Sequence, residues 1–193
     1  MFMKRNLLFS LLALLAACNS NPPASSESTA KPAADSAVAP MPAINSPYPI
    51  SYSSSFTVDA PKNAESILTL WKDWENGNVA AHKDLWADTI TMHFSDGNMF
   101  RGSRDSTMSM GQHVRNMVAS SVSKVIAVTA LKGTDKDGKV GHWVLIWGTE
   151  INTDKKGKVD STYLQETWGF NNDGKVDVLY QYRAAPLPPK KKM

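Results

Sequence analysis

Three five-residue segments, Asp135-Lys-Asp-Gly-Lys139, Asp154-Lys-Lys-Gly-Lys158 and Asn171-Asn-Asp-Gly-Lys175, punctuate the carboxyl half of the chain. Each sets Gly beside Asp or Lys, the chemistry of a tight hairpin turn in which one backbone position takes a positive φ. Between them lie runs rich in Val, Ile, Tyr and Trp. The spacing predicts four long strands, over Val122 to Lys132, His142 to Asn152, Lys158 to Phe170 and Lys175 to Arg183. Tight hairpins join antiparallel neighbours, so these runs are expected as one antiparallel meander. The repeated Asp-Gly-Lys-Val at 137–140 and 173–176 belongs to those turns rather than to a solenoid repeat.

Ahead of the meander the apolar period is that of helices. Ile67, Leu68, Trp71 and Trp74 follow helical spacing after Asn63, which can cap them, and Glu75-Asn76-Gly77 ends the run. A second short helix is expected from Asn78, with Val79, His82, Leu85 and Trp86 on one side. Ile90, Met92 and Phe94 alternate with polar residues as a strand with one buried face does, Asp96-Gly97 is a turn, and Met99 to Arg101 returns briefly. Gly102-Ser103 precedes a third helix carrying Met110, Val114, Met117 and Val118. The expected fold class is therefore α+β, three helices packed on one face of a strongly curved antiparallel sheet across residues 58–185.

The ends of the chain have a different character. Lys4 and Arg5, the apolar run Leu7 to Leu15 and the pair Ala16-Ala17 are the parts of a signal peptide, residues 1–17. Leu15-Ala16-Ala17-Cys18 resembles the bacterial lipobox, which implies acylation of Cys18, cleavage before it and a lipid anchor in the bacterial cell membrane or outer membrane. Residues 18–57 form the expected tether. Of the 39 residues from Asn19 to Thr57, 24 are Pro, Ser or Ala, too little apolar surface to offset the entropy of ordering. Tyr48, Ile50, Tyr52 and Phe56 depart from this composition and are expected to lie against the domain as an arm. Residues 186–193 are expected to be a basic tail without structure.

The net charge of +3 comes from those ends. Without the basic residues at 4, 5, 31 and 190–192 and the acidic ones at 27 and 35, the domain stands at about −1, which argues against a nucleic-acid partner. Cys18 is the one cysteine, so no intrachain disulfide can form.

The stretch Trp71-Lys-Asp-Trp-Glu-Asn-Gly-Asn-Val79, then Leu85-Trp-Ala-Asp-Thr-Ile90, His93-Phe-Ser-Asp-Gly97 with Arg101-Gly102, Glu166-Thr-Trp-Gly-Phe170, Asp173-Gly-Lys-Val176 and Tyr180-Gln-Tyr-Arg183 together resemble the nuclear transport factor 2-like superfamily. That superfamily includes SnoaL-like polyketide cyclases and ketosteroid isomerases. The resemblance implies a cone whose mouth admits a small apolar ligand and an outer sheet face that forms a homodimer.

Strand alternation separates the candidate site residues. Trp143 and Trp147 share one face of their strand, Gln165 opposes Glu166 and Trp168, and Gln181 and Arg183 oppose Tyr180 and Tyr182. Alternation leaves open which face lines the cavity. Trp143, Trp147, Gln165, Trp168, Gln181 and Arg183 are the ligand-binding candidates, with core or dimer packing the alternative for the tryptophans and a surface pair the alternative for Arg183 and Glu166. The resemblance makes Asp96 the candidate general base, since it follows the first strand where the isomerases carry a carboxylate; the alternative is a plain Asp-Gly turn. His93 is a second acid-base candidate, with His113 and His142 behind it. No histidine spacing suits a metal, Asp135-Lys-Asp-Gly-Lys139 lacks the later ligands of a calcium loop, and no cofactor signature is present. Two functions are thus expected to compete: a lipid-anchored cell-envelope module that binds a small apolar ligand, and a cyclase, isomerase or dehydratase of a small carbonyl compound using Asp96 or His93. A partner-docking or dimerisation module without a ligand is a third.

Overall fold

The computed structural model describes residues 44–184. The expected signal peptide, Cys18, most of the tether and the basic tail lie outside the described residues.

The three hairpin segments form one turn built three times. In each, the glycine N–H donates to the carbonyl three residues earlier, and the side-chain oxygen of Asp135, Asp154 or Asn171 accepts two backbone N–H groups of its own loop. Gly138, Gly157 and Gly174 take φ values of 81°, 84° and 69°, the left-handed position that closes a type I turn into the returning strand. These turns join β4 (Val118–Thr134), β5 (Val140–Asp154), β6 (Val159–Phe170) and β7 (Val176–Arg183). All four strands fall where the sequence places them. β4 starts four residues earlier than expected because its first residues pair with the far end of β5, Val118 opposite Asp154.

Three further strands extend the sheet. β1 (Phe56–Val58) pairs with β4, so the arm expected of Phe56 is a short edge strand. Tyr52 lies beside it, its hydroxyl 3.3 Å from the Gly133 carbonyl, whereas Tyr48 is exposed. β2 (Trp86–Phe94) and β3 (Met99–Ser103) form a hairpin, and β2 docks on β7 to give the order β1-β4-β5-β6-β7-β2-β3. The β2–β7 contact is parallel, so the sheet is mixed rather than wholly antiparallel. It becomes parallel because β2 arrives from the helical layer, not through a hairpin.

Two helices cover one face, where three were expected. α1 (Lys62–Asn76) begins at Pro61, not Asn63, whose amide lies inside the first turn 3.4 Å from Asp59. α2 (Arg104–Arg115) is capped by the Ser103 hydroxyl accepting the Ser106 N–H. It ends before Met117, which lies in the turn that follows, and Val118, which opens β4. The expected helix from Asn78 is a series of turns ending in a 3-10 turn, Lys83–Leu85, and Trp86 already belongs to β2. Side chains claim its backbone and fix its course: the Val79 N–H donates to Gln112 and His82 Nδ1 lies 2.9 Å from the buried Asp73 carboxylate. Its own bonds run i to i+3.

The same junction clasps the helices together. Arg115 is buried and donates to the Trp74 and Glu75 carbonyls at the end of α1, and Gln112 donates to the Gly77 carbonyl. These bonds satisfy carbonyls that a helix end leaves free. Beneath the helices lies one core centred on Ile67, Ile90, Val144, Ile146 and Val176, all fully buried. Each such side chain contributes about 1.5–3 kcal/mol relative to exposure.

Candidate functional site

The curved sheet and the two helices line a cavity of about 400 Å³ that is open at one end. Strand alternation builds its floor. Glu150 lines it from β5, Leu164, Glu166 and Trp168 from β6, and Leu179, Gln181 and Arg183 from β7, while Val144 and Ile146, in phase with Glu150, are buried in the core. α1 adds Leu70, Trp71 and Trp74, α2 adds Met108, Met110 and Val114, and β2 adds Trp86, Met92 and Phe94. Gly148 sits between Ile146 and Glu150, where a Cβ would lie 2.7 Å from the Trp71 ring and 2.8 Å from the Lys124 carbonyl. That missing side chain is what allows the Trp71 indole to lie against the sheet and reach across it.

Two buried carboxyl groups stand in this apolar wall. Glu166 is 3% exposed, and its Oε2 accepts the indole N–H of Trp71 at 2.8 Å and of Trp168 at 3.0 Å. Its Oε1 accepts Gln181 Nε2 at 2.7 Å, from the residue directly opposite on β7. Burial pushes the Glu166 carboxyl above the usual glutamate range, against the three donors, and the neighbouring charge of Glu150 acts in the same direction as burial. Glu150 differs in being paired: Arg183 Nη2 lies 2.9 Å from its Oε2, and Trp74 Nε1 at 2.5 Å and Ser121 Oγ at 3.4 Å reach Oε1. One carboxyl is thus held by neutral donors in an apolar pocket and the other by a cation. Glu166 can accept a proton from, or donate one to, a molecule in the cone.

Of the residues singled out from the sequence, the structure brings Trp168, Gln181 and Arg183 together around the cavity. Trp143, Trp147 and Gln165 alternate to the outer face. There Trp143 donates to the Tyr52 hydroxyl at 3.1 Å, Gln165 donates to Thr167 at 3.1 Å, and Trp147 is 38% exposed. Asp96 and His93 are both away from the cavity. Asp96 lies in the exposed turn after β2, where its carboxylate accepts the backbone and side-chain N–H groups of Asn98, which hold its pKa below the usual range. Its placement is that of the turn alternative. His93 stacks on Tyr180 with ring centroids 4.6 Å apart, in a polar groove on the outer face that Arg101 and Asp177 also line. His113 is exposed on α2, and His142 Nδ1 lies 2.6 Å from Asp59. Glu166 and Arg183 are not a pair, because Arg183 reaches Glu150 instead.

The sequence reading missed Glu150 and the polar roles of Glu166, Trp71 and Trp74. A signal was there for Glu166: a carboxylate in phase with Leu164 and Trp168 on a strand whose other face carries Tyr163, Gln165 and Thr167. Among the described residues no three His, Cys, Asp or Glu side chains converge as a metal site requires, and no helix is long and apolar enough to cross a membrane.

No protein-family model matches the sequence, and no curated protein sequence does. Solved structures do resemble the fold. A putative SnoaL-like polyketide cyclase from Shewanella denitrificans superposes with a TM-score of 0.51 at 9% identity, over 65% of this chain and 92% of its own. AusH from Aspergillus nidulans gives 0.50 at 12% identity, over 68% and 89%. An NTF2-like protein of unknown function from Cytophaga hutchinsonii gives 0.44 at 12% identity, over 62% and 97%. With its curved sheet, two covering helices and apolar cavity, the domain has the nuclear transport factor 2-like cone fold.

Proposed function

We propose that this chain is a lipid-anchored cell-envelope protein whose cone binds a small, largely apolar molecule, with Glu166 as its polar anchor. The observation that carries the binding reading is the cavity itself, walled by apolar side chains and offering only a few polar groups, the usual composition of a small-molecule site. The anchor rests on the sequence through Cys18, and its test is palmitate labelling and membrane fractionation of Cys18→Ala, both of which should be lost.

Native mass spectrometry of the full chain released from detergent tests the ligand. A bound small molecule that disappears on denaturation, and that Met108→Trp excludes by filling the cavity, is the expected result. A cone that retains no molecule and takes up no apolar probe defeats the proposal.

A catalytic role is the second reading, and the buried Glu166 is what favours it. In place of Asp96 or His93, Glu166 would move a proton to or from a small carbonyl compound in a cyclase, isomerase or dehydratase reaction. Homodimerisation through the outer sheet face is part of the proposal as well. Trp147, Tyr163 and Tyr182 are exposed there, and Trp147 and Tyr182 both flank Gln165 across adjacent strands.

A further inference from the structure

Four tryptophans line the cavity, and three of them spend their indole N–H on a buried carboxyl group: Trp71 and Trp168 on Glu166, and Trp74 on Glu150. Trp86 does not. Its side chain is 5% exposed, and its Nε1 is buried with no hydrogen-bond partner among the described residues. Leaving such a donor unpaired is unfavourable, because its hydrogen bond to water is given up with none gained in return. The position is not a remote corner of the core. Trp86 packs edge-on against Trp168 with ring centroids 5.6 Å apart, one indole away from the Glu166 carboxyl. A phenylalanine would supply much of the apolar contact without the unpaired group, so the indole N–H at this position calls for a partner.

We propose that Trp86 is a specificity-determining residue whose indole N–H donates to an oxygen acceptor on the bound molecule, a ketone, ester or ether oxygen carried on an otherwise apolar frame. The proposal rests on the cone being a ligand site and names the group that ligand must carry. Nε1 is covered in this structure, so donation requires the indole to tip toward the ligand. A pure hydrocarbon leaves the N–H unpaired and gains only apolar contact. A molecule with an acceptor at that end gains the same contact and relieves the buried donor, and the difference is the selectivity.

The test uses two probes of matched shape, α-tetralone and tetralin, on the full chain with its tryptophans labelled with nitrogen-15. The Trp86 indole resonance is assigned in the wild type by its nuclear Overhauser contacts to the edge-on Trp168 ring. The expected result is a downfield shift of the Trp86 N–H with tetralone and not with tetralin, together with about tenfold tighter binding of tetralone, the equivalent of one hydrogen bond worth about 1.4 kcal/mol. In Trp86→Phe the tetralone preference over tetralin should fall to about one. Equal binding of both probes, or a preference that survives in Trp86→Phe, overturns the role of Trp86 and leaves the cone as a ligand site. Binding of neither probe overturns both. The wild-type resonance decides the matter even if the variant fails to fold.

Discussion

The indole N–H of Trp71 donates to Glu166 Oε2 across 2.8 Å, tying the first helix to the sixth strand over 95 positions of sequence. The bond joins the two layers of the fold at the cavity, so the Glu166 carboxyl depends on helix placement as much as on its own strand. Removing the donor should therefore be felt both in stability and in the proton affinity of Glu166.

Trp71→Phe should destabilise the domain by about 2–3 kcal/mol, combining lost ring volume with a lost hydrogen bond to a buried acceptor. It should also raise the Glu166 pKa further, because one donor that favours the charged form is gone. Urea denaturation measures the first effect. A carboxyl NMR titration of Glu166 measures the second, and an unchanged titration would show that the bond does not hold the carboxylate.

Glu166→Gln should change the pH dependence of stability in one direction. A carboxyl whose folded pKa is raised binds protons more tightly in the native state than in the unfolded chain. Its stabilising contribution is complete below the ordinary glutamate value of 4.5 and is lost as pH rises through the folded pKa. The wild type should lose stability across that window, and the glutamine variant should not show that loss. Thermal melts from acid to mildly alkaline pH give the comparison.

Arg183→Ala should cost about 1–2 kcal/mol, less than breaking a fully buried ion pair because the arginine side chain is 47% exposed. Arg183→Ala with Glu150→Gln should recover part of the loss, since the buried charge is then gone. A double-mutant cycle in urea reads the coupling.

Asp96→Asn and His93→Gln should leave binding of any cone ligand within about twofold of wild type, since neither residue reaches the cavity. A large loss in either variant, measured by tryptophan fluorescence titration, would return the site to the outer face.

The homodimer proposed through the outer sheet face makes a further prediction: Tyr163→Lys with Trp147→Lys should weaken that self-association at least about tenfold, since both side chains are exposed on that face and neither lines the cavity. Sedimentation velocity over a concentration series checks this.

Much of this architecture is a local matter and could be read from the chain. The three Gly-containing turns set where β4 to β7 begin and end, because only a residue tolerant of positive φ closes that loop. The α1 stripe around Ile67 and Trp71 and the alternation of Ile90, Met92 and Phe94 gave the helix and strand their buried faces. The segment after Gly77 was harder. Its apolar residues suit a short helix, but its backbone answers to Gln112 and His82 to Asp73, partners that no local pattern reveals.

The site divides in the same way. Alternation grouped Leu164, Glu166 and Trp168 on one face and Trp143 with Trp147 on one face, yet a period of two is silent about which face the helices cover. The tertiary structure made that choice, and with it Trp143, Trp147 and Gln165 went outward and Glu166 inward. Asp96 looked catalytic by its position after a strand, but its oxygens are taken up within its own turn. What the sequence determined by itself was the set of turns, strand phases and the expectation of an anchor at Cys18, because these depend on neighbouring residues. Only the tertiary structure decided that two glutamates from one sheet are buried in an apolar cone, held by tryptophans from a helix far away in the chain, because burial and proton affinity are set by what the fold brings near.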